Sequence, residues 1–181
     1  MRKLRVARAG RSGNSAGTQP KKDRQMDYRI TGLDPAPFRH LWRQSEGDLA
    51  ARGALRVRAD AHSLYPDRIT LTEAPEGATL LLVNHVSMPA ASPYRATHAI
   101  YLMEGADEPY DAVGELPPVM RHRLLSLRGF DAEGMIRDAD VSEGVDQTEA
   151  LIDRLFADPA IREIHAHNAK RGCFSARITR A

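Results

Sequence analysis

The sequence contains one cysteine, Cys173, among its 181 residues. An internal disulfide is therefore excluded, and with it the small stapled secreted scaffold. Long apolar runs are missing as well. The longest, Leu80-Leu81-Leu82-Val83, is a fraction of the ~20 residues a membrane helix requires. No membrane partner is expected, and a reducing cytoplasm is the expected location. Catalytic signatures are absent: there is no Gly-rich phosphate loop, no nucleophile elbow and no zinc-protease helix motif. No internal repeat and no βαβ alternation occurs, and nothing identifies a cofactor.

Acidic residues are scarce in one place only. Residues 1–25 hold eight basic side chains and a single acid, Asp23. The rest of the chain then has 18 basic and 23 acidic residues, a net charge of −5, against +2 for the whole. A mildly acidic globular part argues against general nucleic-acid binding, and any anion site must be local. Residues 1–25 lack apolar periodicity and read as a disordered basic extension. Such a segment serves an anionic partner or targeting, or reflects a misassigned start, with Met26 as the true first residue. One globular domain is expected over residues 26–181, and its oligomeric state stays open.

From Met26 the pattern is regular. Tyr28 to Thr31 reads as a strand, and Asp34-Pro35 as a helix start leading into Phe38, Leu41 and Trp42. A short helix follows between the cap Ser45 and the stop Gly53. Strand alternation is read over 54–59, 68–73 (Ile69 and Leu71 inward), 79–85 and 97–103, with a Pro-rich loop over 87–93. Pro117-Pro118 is expected to open a helix carrying Val119, Met120, Leu124, Leu125 and Leu127. Residues 130–140 read as an irregular strand pair broken by Gly134. The clearest helix spans 147–157, with Leu151, Ile152, Leu155 and Phe156 as its apolar stripe and Asp158-Pro159 as its end. The count favours an α+β fold: a single domain with a mainly antiparallel sheet flanked by a few helices.

The C-terminal stretch draws most of the chemistry together. As a strand, it turns His165 and His167 to one face and Ile164 and Ala166 to the other. Pairing residue 167 with 173 then sets Cys173, Ser175 and Arg177 on the histidine face and Phe174, Ala176 and Ile178 opposite. Two histidines at i, i+2 suit a metal, with Cys173, His85 or His98 as a further ligand. The carboxylate that would complete such a pair is absent, Asn168 and Ala169 standing there instead, and no metal is assigned. Cys173 beside His167 suits a nucleophile–base pair, with Lys170 and Arg171 near the thiol. Against this, a lone cysteine is often a small buried side chain, and His98 shares a face with Ile100 and Leu102 as a core histidine would. Arg95, Arg171 and Arg177 suit a carboxylate or phosphate.

Several segments together resemble a known family. They are Ile30-Thr31-Gly32-Leu33-Asp34, Ser92-Pro93-Tyr94-Arg95, Leu124-Leu125-Ser126-Leu127-Arg128, and His165-Ala166-His167-Asn168 followed by Gly172-Cys173-Phe174. They resemble the bacterial domain-of-unknown-function family numbered 1203, from about Met26 to the C-terminus. The resemblance implies a compact bacterial single domain and no activity. Family members often carry a cysteine in the segment Pro66-Asp67-Arg68, where this chain has Asp67, so a two-cysteine mechanism is not available here.

Two functional readings follow. One is an enzyme or binder of a small anionic ligand. Its pocket is lined by His165, His167, Cys173 and Arg177, with Asn168 orienting the ligand and Arg95 approaching from the neighbouring loop. His167 is its acid/base and Cys173 its nucleophile. The other is a non-catalytic interaction module that offers the hairpin as a sheet edge. Convergence into one concave pocket separates them.

Overall fold

A computed structural model describes residues 27–181. Residues 1–25 and Met26, with the readings made of them, lie outside that range. Among the described residues, nine strands form two antiparallel sheets. The larger runs in the order β5 (Asp111–Val113), β1 (Tyr28–Thr31), β9 (Phe174–Arg180), β8 (Glu163–Asn168), β6 (Leu124–Phe130), β7 (Ile136–Glu143). The smaller has β3 (Thr79–Met88) between β2 (Leu55–Arg58) and β4 (Ala96–Met103). Two α-helices accompany them, α1 (Glu46–Ala51) and α2 (Val145–Phe156), with two short 3-10 helices. The expected α+β fold with mainly antiparallel pairing is borne out. Among the described residues, no helix is long and apolar enough to cross a membrane.

The larger sheet is covered on both faces. Leu151, Ile152, Leu155 and Phe156 of α2 pack with Ile164, Ala166, Ala176 and Ile178 on one of them. Complete burial of such side chains contributes roughly 1.5–3 kcal/mol each, so this stripe is a main source of stability. On the other face, Phe174 packs with Leu81, Val83, Ile100 and Leu102 of the smaller sheet. α1 begins as its sequence indicates, Ser45 Oγ accepting the Asp48 N–H at 3.1 Å, and Gly53 follows it at φ +69°.

Four local readings need correction. Residues 68–73 form a tight loop and not a strand, with Leu71 at φ +51°. The buried Asp67 carboxylate organises that loop, accepting the Thr70 N–H at 2.7 Å, the Thr70 hydroxyl at 2.8 Å and the Met103 N–H at 2.8 Å. Ile69 and Leu71 are fully buried all the same, so burial was legible and the element was not. After Pro117 only a 3-10 turn forms, Pro118–Met120, and Leu125 and Leu127 belong to strand β6. A short apolar run fits either period, and pairing with β7 and β8 decides for the strand. Residues 36–41 are likewise 3-10 and not α, with Pro35 capping. The pair over 130–140 is longer than expected: β6 and β7 run to either side of the turn at Gly134, which sits at φ +74°.

The hairpin itself differs in register and in place. His165 pairs with Arg177 and Ala166 with Ala176, two residues beyond the expected register, and a bulge then sets His167 opposite Phe174. The bulge turns the Phe174 ring to the histidine side, where Cys173 was expected. Nor is the hairpin an edge. β8 lies between β9 and β6, and β9 between β1 and β8. The sheet-edge form of the interaction-module reading therefore has no free backbone to work with.

Candidate functional site

Two groups of side chains meet at the hairpin, one on each side of its turn. The first is a histidine layer between the sheets. His165 and His167 are each 2% exposed, because β3 and β4 lie over their face. The His167 ring stands edge-on to His98 at 4.9 Å between centroids and to Phe174 at 5.9 Å, while His165 meets Phe130 at 4.8 Å. His167 Nδ1 donates to the Gly172 carbonyl at 3.2 Å, which fixes its tautomer. Burial, reinforced by the Arg128 charge, pushes His167 down to about 3. At neutral pH the ring is uncharged. Burial pushes His85 and His98 down as well, and Ser87 Oγ bonds His98 Nδ1 at 2.7 Å. His165 Nε2 lies 2.9 Å from Glu163 Oε1, and Arg177 Nε donates to Glu163 Oε2 at 2.6 Å. The His165 hydrogen bond is the main cause holding the Glu163 carboxyl below its usual range. Among the described residues, no group of three or more His, Cys, Asp or Glu is arranged to hold a metal ion.

The second group surrounds a cavity of about 790 Å³, within the size range of small-ligand sites. Its floor holds Arg68, 1% exposed, and Cys173. Arg68 Nε donates to the Phe174 carbonyl at 2.6 Å, Nη1 to the Pro66 carbonyl, and Nη2 to Cys173 Sγ at 3.4 Å. Asn168 Nδ2 donates to the same sulfur at 3.2 Å, and Asn168 Oδ1 is buried without a hydrogen-bond partner. Gly172, at φ +72°, lets the turn bring Cys173 back over Asn168, whose N–H bonds the Cys173 carbonyl at 3.0 Å. Burial pushes the Arg68 guanidinium down, and Cys173 pulls it partly back up. Among the described residues Arg68 forms no ion pair with a carboxylate.

Further cations line the same cavity. Arg123 is tied to Glu73 and donates to the Val119 carbonyl at 2.6 Å, while Lys170 and Arg171 are exposed on the hairpin turn. His62 and His122 stand among the lining residues, and Glu143 is the single acid there. The lining thus carries four permanent cations, one of them paired with Glu73, and one carboxylate.

Of the residues singled out in the sequence, Cys173 and Asn168 reach the cavity, with Arg171 and Lys170. His165 and His167 do not line it and belong to the layer beside it. Arg177, exposed, is engaged by Glu163, and Arg95, exposed, donates to the Pro89 carbonyl in its own loop. Neither joins Cys173. Arg68 and Arg123 were not singled out. In an alternating reading Arg68 falls on the polar side of Ile69 and Leu71, where an arginine is ordinarily solvated.

No curated protein and no solved structure matches the chain. Residues 64–180, which include every residue of the cavity floor and both strands of the hairpin, match the family described as "Protein of unknown function (DUF1203)". By that match, over more than half of its length, the chain belongs to this family.

Proposed function

We propose that the protein binds a small anionic ligand in the cavity above Cys173. The observation that carries this reading is Arg68. A guanidinium taken out of water costs several kcal/mol unless counter-charge and hydrogen bonds offset it. The neighbouring buried Asp67 attracts Arg68 but gives its hydrogen bonds to Thr70 and Met103, and Glu143, the one acid among the described residues lining the cavity, is exposed. Arg123, Lys170 and Arg171 add attraction from the wall. The geometry supports binding ahead of catalysis. The groups hydrogen-bonded to Cys173 Sγ are the donors Arg68 and Asn168, which can hold negative charge beside the sulfur but can neither take up nor return a proton as turnover requires.

Cys173 supplies its own probe. Its alkylation rate is measured with anionic iodoacetate and with neutral iodoacetamide, and the ratio is compared with that of N-acetylcysteine. A cationic cavity raises local anion concentration by about tenfold or more at low salt, so the ratio is expected to exceed the free thiol's by that order. It should collapse toward the free value in high salt and fall in Arg171→Gln. A ratio no higher than the free thiol's overturns the reading. A thiol inert to both reagents does so too, since Cys173 would then be closed off from the cavity.

A further inference from the structure

Cations are not the whole lining of the cavity. Leu64, Tyr65, Leu82, Tyr101 and Leu124 line it among the cations, with Leu124 next to Arg123 in the chain and the Arg68 backbone N–H donating to the Tyr101 carbonyl at 3.1 Å. Leu64 is 71% exposed and Leu124 36%. A single exposed leucine carries no message, but several apolar side chains lining one cavity do. Tyr65 and Tyr101 form an edge-to-face pair, centroids 5.4 Å apart at 72°, and the Tyr65 hydroxyl is engaged by Asp60 at 2.8 Å. That hydroxyl is committed to the protein, so what the pair adds to the wall is ring surface. These residues come from the loop before β3, from the outward face of β3–β4 and from the start of β6. The cations come from Arg68, Arg123 and the hairpin turn. A ligand that satisfies both kinds of lining carries an acid group on a flat apolar body.

We infer that the ligand is a small aromatic acid, its carboxylate or phosphate toward Arg68, Arg123 and Arg171 and its ring against Leu64, Leu82 and Tyr101. This rests on the anion-binding reading above and adds the body that the anion is carried on. Ring contacts of this kind bury apolar area equivalent to about a tenfold gain in affinity.

The test is calorimetric titration of the full chain with phenylacetate, phenyl phosphate, acetate, inorganic phosphate and 2-phenylethanol. Phenylacetate or phenyl phosphate is expected to bind about tenfold tighter than the matching ringless anion, and tighter than the neutral alcohol. The substitution Leu64→Ser, at a residue 71% exposed, is expected to reduce the ring's advantage and leave the ringless anions, held by the arginines, unchanged. Equal affinities for acetate and phenylacetate, and for the two phosphates, overturn the aromatic inference and leave the anion reading standing. Binding of 2-phenylethanol as tight as that of phenylacetate overturns the anion reading instead. Failure of all five probes overturns both.

Discussion

His167 shows how a residue's surroundings, more than its type, set its chemistry. The ring is enclosed by Phe174, His98 and His165, and its Nδ1 proton is committed to the Gly172 carbonyl. Unfolded, the imidazole takes up a proton near its ordinary value of 6.5; folded, it resists until about 3. The unfolded chain therefore binds more protons between those limits, and stability falls as pH drops through that window. At pH 5 the loss from this one group is roughly 1–2 kcal/mol relative to pH 7.5. His85 and His98 act in the same direction. Urea denaturation of His167→Gln at pH 7.5 and pH 5 should show a shallower pH slope than the parent protein. An unchanged slope would mean that His167 does not resist protonation in the fold.

At the scale of elements, close approach and register decide most of the outcome. Gly32 follows β1 where the chain passes the 68–73 loop, donating to the Tyr110 carbonyl at 2.8 Å. A Cβ there would lie 1.8 Å from the Ile69 carbonyl oxygen, a backbone atom that cannot swing aside. Gly32→Ala is thus expected to cost about 3 kcal/mol or more, at the large end of single substitutions. Gly129→Ala meets the flexible Ile161 side chain at 2.5 Å and should cost less. Chemical denaturation of both variants checks the order, and a reversed order would refute the argument from backbone contact. The bulge between β8 and β9 works on a similar scale. One unpaired residue moves Phe174 across the sheet, completing the inter-sheet core and leaving Cys173 at the turn to line the cavity.

At the scale of the whole molecule, Arg68 ties the two sheets together. It leaves the loop preceding β3 of the smaller sheet and reaches the Phe174 carbonyl in β9 of the larger. Arg68→Met keeps much of the side-chain volume but leaves buried carbonyls of Phe174 and Pro66 without their donor. Each such loss costs about 1–3 kcal/mol, partly offset because a charge no longer has to be buried. A net destabilisation of ~2–4 kcal/mol is expected, in one cooperative transition monitored by fluorescence and by circular dichroism. Two separated transitions would show instead that the sheets unfold independently. The variant should also lose the preference of Cys173 for the anionic alkylating reagent.

What the sequence by itself determined is what local periodicity encodes. The α2 stripe, the Ser45 and Gly53 boundaries, the apolar interior strand β3 and the alternation of Ile164 and Ala166 against His165 and His167 all follow from side-chain spacing along one element. So does the presence of Cys173 and Asn168 at a candidate site, since the turn that joins them is a few residues long. The tertiary structure alone decided what lies over each face. Alternation states that two histidines share a side of a strand, but not whether water, a ligand or a second sheet covers it. Here β3 and β4 cover it, and the histidines become core. Arg68 was illegible for the same reason. It lies more than a hundred residues from Cys173 in sequence, and only the docking of one sheet on the other, with the bulge at Phe174, brings its guanidinium to the sulfur.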